Sequence, residues 1–171
     1  MSSETVSVSK LMNSKVQTDF EDQNIMSACN IMSANNIGCV IIVTRSRNPT
    51  PVGIITERNI VEILGKLKPD LLQAPLRMLM SKPLITIEES ASINEAAKLM
   101  SSKKIRRLVV VDKNNQMIGI LTQKDLFNVI NMNPSLFSEL YGNEYPIRIK
   151  EMYENFNQYR LENLMPELNQ Y

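Results

Sequence analysis

A chain of 171 residues, 43% of them apolar, can bury one compact core or two small ones that depend on each other. Its net charge of +1 gives no general drive toward nucleic acid or an anionic membrane, and neither partner is expected. Histidine is absent, which removes the commonest general base and the commonest zinc ligand, and the two cysteines, Cys29 and Cys39, fall at apolar-face positions where buried free thiols are expected.

Residues 1–7 are polar, lack the apolar stretch of a signal peptide and are expected to be disordered. No apolar run approaches the roughly 20 residues that span a bilayer, so a soluble, cytoplasmic protein is expected. From residue 8 the chain says nearly the same thing twice. Thr18, Ile25, Ala28, Met32, Ile37 and Val43 recur 68 positions later as Thr86, Ile93, Ala96, Met100, Ile105 and Val111. The segment Gly53-Ile54-Ile55-Thr56-Glu57-Arg58-Asn59-Ile60 recurs 66 positions later as Gly119-Ile120-Leu121-Thr122-Gln123-Lys124-Asp125-Leu126, so the first copy carries a loop two residues longer. Two related halves usually pack about a pseudo-twofold axis and leave clefts between them.

The first repeat, 8–67, has strands expected at Gly38–Thr44 and Val52–Thr56, joined by a loop carrying Pro49 and Pro51. Residues 68–75 read as a linker. In the second repeat, 76–131, a strand is expected at Leu84–Ile87, and Ser92 with Glu95 forms a capping box ahead of a helix. Ile93, Ala96, Ala97 and Met100 then make one apolar stripe. Strands at Arg107–Asp112 and Met117–Thr122 follow, and a helix starts at Gln123. Both middle strands are apolar at nearly every position, as in sheets covered on both faces. The fold class is therefore α/β (α+β), two βαββα repeats with a C-terminal helical extension over 132–171. That extension places Ile149, Met152, Tyr153, Phe156 and Arg160 at helical spacing, followed by Leu161, Leu164, Met165 and Leu168. It suits a helix packed on its own domain or on a twin subunit, or a docking helix for another protein.

Several polar and charged residues stand out near the end of the second repeat. Asp125 is an acceptor-only group with two oxygens, able to take two donors. Thr122 sits three residues earlier at the strand-to-helix turn. Lys124 adds a mobile charge and Arg107 a rigid fork for phosphate, while the helix beginning at Gln123 presents free N–H groups. The same residues also read as helix caps, Thr122 with Asp125 and Thr56 with Asn59. Part of the basic cluster Lys103, Lys104, Arg106 and Arg107 could simply complement a helix C-terminus.

The repeat ending in Gly-apolar-apolar-Thr-x-Arg/Lys-Asp/Asn resembles the cystathionine-β-synthase (CBS) domain. Gly53 to Asn59 and Gly119 to Asp125 carry the likeness, supported by Ile105 to Asp112 and by Met12 and Met80. The resemblance spans about residues 8–142 and implies a Bateman module, a tandem pair that dimerises and binds adenosine-containing ligands between its repeats. By that likeness the main cleft combines Asp125, Thr122, Lys124, Ile120 and Arg107 with Ile37, Gln17 and Met12 of the other repeat. The symmetry-related cleft combines Thr56, Arg58, Asn59 and Ile54 with Met80, Ile85 and Ile105. There Asn59 lacks the charge of Asp125 and Cys39 stands at the position of Arg107, so this cleft is expected to be weak or empty.

No Walker loop, zinc-ligand spacing or nucleophile–base pair is visible, so catalysis is not expected. The expected function is regulatory: sensing AMP, ADP, ATP or S-adenosylmethionine with no required cofactor and no metal, as a homodimer that signals to an effector protein, with the C-terminal helix as one route. The alternative is a homodimerising interaction module whose clefts stay empty.

Overall fold

The computed structural model describes residues 6–65 and 70–132. Of the described residues, those up to Asn128, which hold both sheets, fall within one compact unit. The first contains β1 (Thr18–Phe20), α1 (Ile25–Asn35), β2 (Cys39–Val43), β3 (Pro51–Thr56) and α2 (Glu57–Gly65). Two short helices follow, α3 (Asp70–Gln73) and α4 (Leu76–Leu79). The second contains β4 (Thr86–Glu88), α5 (Ile93–Lys103), β5 (Arg107–Val111), β6 (Met117–Thr122) and α6 (Gln123–Met132). The stripe expected from Ile149 to Leu168 lies outside the described residues.

Each repeat makes a three-stranded sheet with the same topology. β1 runs parallel to β2 and β2 antiparallel to β3; β4, β5 and β6 repeat the arrangement. The parallel step needs a crossover, which α1 and α5 supply. Local sequence starts both helices. The Asn24 side chain caps α1 by accepting from the N–H groups of Met26 and Ser27, and Ser92 with Glu95 forms the expected capping box on α5. Asn36 and Lys104 end these helices in the left-handed conformation, at φ of 52° and 54°.

In an antiparallel pair, directly opposed residues share a face, so each sheet has two distinct sides. One side of the first sheet, Val40, Ile42 and Ile55, packs under α1 against Ile25, Ala28 and Met32. The equivalent Leu108, Val110, Leu121, Ile93, Ala96 and Met100 are buried in the second repeat. The other sides of the two sheets meet at a seam, where Ile41 and Val43 join Val109, Val111 and Ile120. Burying each such side chain contributes roughly 1.5–3 kcal/mol, so the seam binds the repeats into one core.

The segments that lead into each repeat cross to the opposite one. Val8, fully buried, donates its N–H to Ala91 at 2.8 Å, and Leu76, its equivalent, donates to Gln23 at 2.7 Å. Asn13 forms a bridge with Ile120 while Ser81, 68 positions on, forms the matching bridge with Ile54. The segments on either side of residue 8 both make contacts with the second repeat. Residues 8–13 pack on the second repeat. Just before them, Val6 accepts from the Ile93 N–H and Ser7 bridges to Ser92.

Candidate functional site

The two strand-to-helix turns are built alike. Asp125 Oδ2 accepts from the Thr122 N–H at 2.8 Å and the Thr122 hydroxyl at 2.7 Å, while the Asp125 N–H donates back to Thr122 Oγ1 at 3.3 Å. Asn59 Oδ1 accepts from the Thr56 N–H and hydroxyl at 3.0 and 2.8 Å, with the same return bond at 3.3 Å. The capping expected of both pairs is present. The turns differ in what remains. Asn59 Nδ2 donates across to Ser81 Oγ at 3.1 Å, whereas Asp125 Oδ1 has no hydrogen-bond partner among the described residues.

A cavity of about 360 Å³ opens at the seam beside Asn59. Repeat one contributes Ile54, Thr56, Arg58 and Asn59, and the lead into β4 contributes Ser81, Pro83, Leu84 and Ile85. The end of α5 and the start of β5 contribute Lys104 to Val109, and Ile120 reaches in from β6. The volume lies within the range of small-ligand pockets. The structure gathers Ile54, Thr56, Arg58, Asn59, Ile85 and Ile105 around this cavity. Met80 instead packs its thioether over Gly53, in the space a Cβ would occupy.

Arg107 is shared between two cavities. Expected with Asp125 and Ile37, it lines the Asn59 cavity and also a second one with Ile37. It is opposite Thr122 in the β5–β6 register and so stands on the face of its strand that looks across the seam. Its Nη2 lies 2.8 Å, and the Glu57 carboxylate 2.7 Å, from where Gly38 would carry a Cβ. The consequence is direct: the Asn59 cleft does not lack this guanidinium. A second cavity of about 510 Å³ is lined by Ile37, Gly38, Glu57, Cys29 and Arg107 among others. Burial pushes the Cys39 thiol up; the Arg107 guanidinium pulls it down and Glu57 pushes it up again. Both free thiols are half-buried, and burial also raises Cys29.

The remaining expected residues, Asp125, Thr122, Lys124, Gln17 and Met12, line neither of these cavities. Met12 lies over Gly119, Gln17 accepts the Ile41 N–H through its backbone oxygen, and Lys124 is exposed on α6. Sequence reasoning missed Ser81 and left Lys104 and Arg106 unassigned to a cleft. The offset of 68 marks Ser81 as the counterpart of Asn13, but only the crossing of the lead segments brings it to Asn59. Among the described residues no cluster of His, Cys, Asp or Glu suits a metal, and no helix is long and apolar enough to cross a membrane.

Comparison with known proteins agrees with this architecture. The CBS domain family model matches residues 8–66 and 76–131. An uncharacterized protein of Methanopyrus kandleri, MK0525, is 40% identical over 127 residues, which cover 73% of this chain and 63% of that protein. The chain thus spans less than two thirds of that relative's length. The CBS domain protein PAE2072 of Pyrobaculum aerophilum, solved in complex with AMP, superposes with a TM-score of 0.68 at 25% identity, covering 79% of this chain and 98% of that one. The CBS domain pair of protein MJ0100, solved with 5′-methylthioadenosine and S-adenosyl-L-methionine, gives a TM-score of 0.67 at 25% identity, covering 75% and 98%. Two matched repeats, crossed lead segments and paired strand-to-helix turns at the seam place the chain in the CBS-domain family, as a tandem Bateman module.

Proposed function

We propose that this CBS pair is a regulatory module that binds an adenosine nucleotide at the seam between its repeats and passes the occupancy on to another protein. The observation that carries the reading is the Asn59 cavity, which joins apolar walls to a cationic rim within one inter-repeat space. Ile54, Ile85, Ile105 and Ile120 offer an apolar slot for a base, and Arg58, Lys104, Arg106 and Arg107 offer donors for phosphate. Relatives of this architecture that hold AMP, or methylthioadenosine with S-adenosylmethionine, support the ligand class. The cationic rim favours AMP, ADP or ATP over the sulfonium of S-adenosylmethionine. In the other cleft we assign the open Asp125 Oδ1 to the ribose diol, beside Thr122 and Lys124, with Ile120, Ile37, Gln17 and Met12 around the base.

The reading is one of binding, without catalysis. A ligand that holds only the folded state must raise the melting temperature, by about 2.7 kcal/mol of stability at a hundredfold excess over Kd. Thermal unfolding with millimolar AMP, ADP, ATP or S-adenosylmethionine is the test. A rise with nucleotides, reduced by Asp125→Ala, supports the proposal; no rise with any of them refutes it. For the output, Val61 and Leu64 on α2 are 68% and 53% exposed, which favours a homodimer or an effector contact on that helix. Sedimentation of wild type against Val61→Glu tests the dimer.

A further inference from the structure

The two clefts differ in chemistry in a way that separates what each reads. Asn59 has no acceptor left: the Thr56 N–H can only donate, so the atom facing it is the amide oxygen, and that oxygen also takes the Thr56 hydroxyl. Its amide nitrogen is turned to Ser81. A ribose diol gripped through its two hydroxyls needs acceptors, and this side chain offers none. Asn13, at the position of Ser81 in the other cleft, gives its amide oxygen to the Lys15 N–H, and no bond ties it to Asp125 among the described residues. Asp125 Oδ1 therefore stays open.

Charge divides in the opposite sense. The Asn59 cavity is lined by Arg58, Lys104, Arg106 and Arg107 and by no carboxylate. None of Arg58, Lys104 and Arg106 is in an ion pair among the described residues. The repeat offsets put Lys124, Asn36, Gly38 and Cys39 at the four equivalent positions. One cation, Lys124, remains there, next in sequence to Asp125.

We infer that the Asn59 cleft takes the polyphosphate chain of a nucleoside di- or triphosphate and does not read the sugar hydroxyls, leaving sugar recognition to the Asp125 cleft. This rests on the reading that the seam binds nucleotide, and extends it to a ligand class for one cleft. Affinity there rises with phosphate count and falls with salt, because each added phosphate meets unpaired cations.

Calorimetric titration of the full chain carrying Asp125→Ala, which weakens the sugar-reading cleft, tests the inference with ATP, 2′,3′-dideoxy-ATP and inorganic tripolyphosphate. The expected result is that ATP and dideoxy-ATP bind with affinities within about threefold and tripolyphosphate competes with both, since sugar hydroxyls that find no acceptor on Asn59 can be removed at little cost. Adding Lys104→Asn, which suits the left-handed position as Asn36 does, and Arg106→Ala should weaken ATP by at least about tenfold. Circular dichroism confirms that the variant is folded. If dideoxy-ATP is at least about tenfold weaker than ATP the cleft reads sugar, and if the charge variant binds unchanged its cations do not hold the phosphates; either result, or ATP binding by wild type that Asp125→Ala abolishes, overturns this inference while the seam reading stands. If neither this variant nor the wild type binds ATP, both fall.

Discussion

Met12 of the first lead segment packs its thioether directly over Gly119 of the second repeat. Its Sδ is 2.6 Å, and the Asn13 carbonyl oxygen 3.2 Å, from where a Cβ on Gly119 would stand. Gly119→Ala must therefore push Met12 off β6 and strain the Asn13–Ile120 bridge. We expect a loss of about 1–3 kcal/mol in urea unfolding at unchanged m-value, partly restored by Met12→Ala in the double variant. Equal stability of Gly119→Ala and wild type would show that the crossing does not hold the repeats together.

Asp19 stands at the centre of β1, 8% exposed, where the second repeat has Ile87. One of its oxygens accepts the Phe20 N–H, and the other is buried with no hydrogen-bond partner among the described residues. A buried unsatisfied acceptor costs about 1–3 kcal/mol. Asp19→Val, β-branched like its counterpart, should raise the urea midpoint by an amount equivalent to about 1 kcal/mol. A lower midpoint would mean that the carboxylate has a partner in solution.

The capping box on α5 makes stability depend on acid. The Ser92 backbone N–H, and then its hydroxyl, hold the Glu95 carboxyl below its ordinary value. A group whose pKa is lowered by folding contributes stability that is present above its unfolded pKa and lost as pH falls through the folded one. Urea unfolding of wild type and Glu95→Gln between about pH 7 and about pH 3 should show a gap at neutral pH that closes on acidification. A gap independent of pH would contradict the charge-based bond. Ser92→Ala, which removes the cap itself, should cost about 1 kcal/mol at neutral pH.

Much of this organisation is legible in the chain because it is local or repeated. Ser92 and Glu95 declare their helix start through spacing alone, and the Thr122–Asp125 and Thr56–Asn59 turns follow from residue type three positions apart. The apolar runs of β2 and β5 mark strands covered on both faces. What escaped depends on crossing. Nothing in the order of residues says that Val8 buries itself in the second repeat, or that Leu76 does so in the first. The four-residue helices α3 and α4 are too short to show a period. The family resemblance groups Arg107 with Asp125. A strand residue, however, faces whatever lies across its sheet, and for Arg107 that is Gly38 and Glu57 of the other repeat. Asn59 looked merely weaker than Asp125; its bond to Ser81 changes its role.

Hydrogen exchange, with and without saturating ATP, addresses the seam site most directly. Ligand in the Asn59 cavity should slow exchange of the amides of Ile54 to Asn59, Ser81 to Ile85 and Lys104 to Val109, which border it, and leave the exposed turn at Lys113 to Gln116 unchanged. Exchange in those three segments that is the same with and without the nucleotide would contradict a ligand site between the repeats.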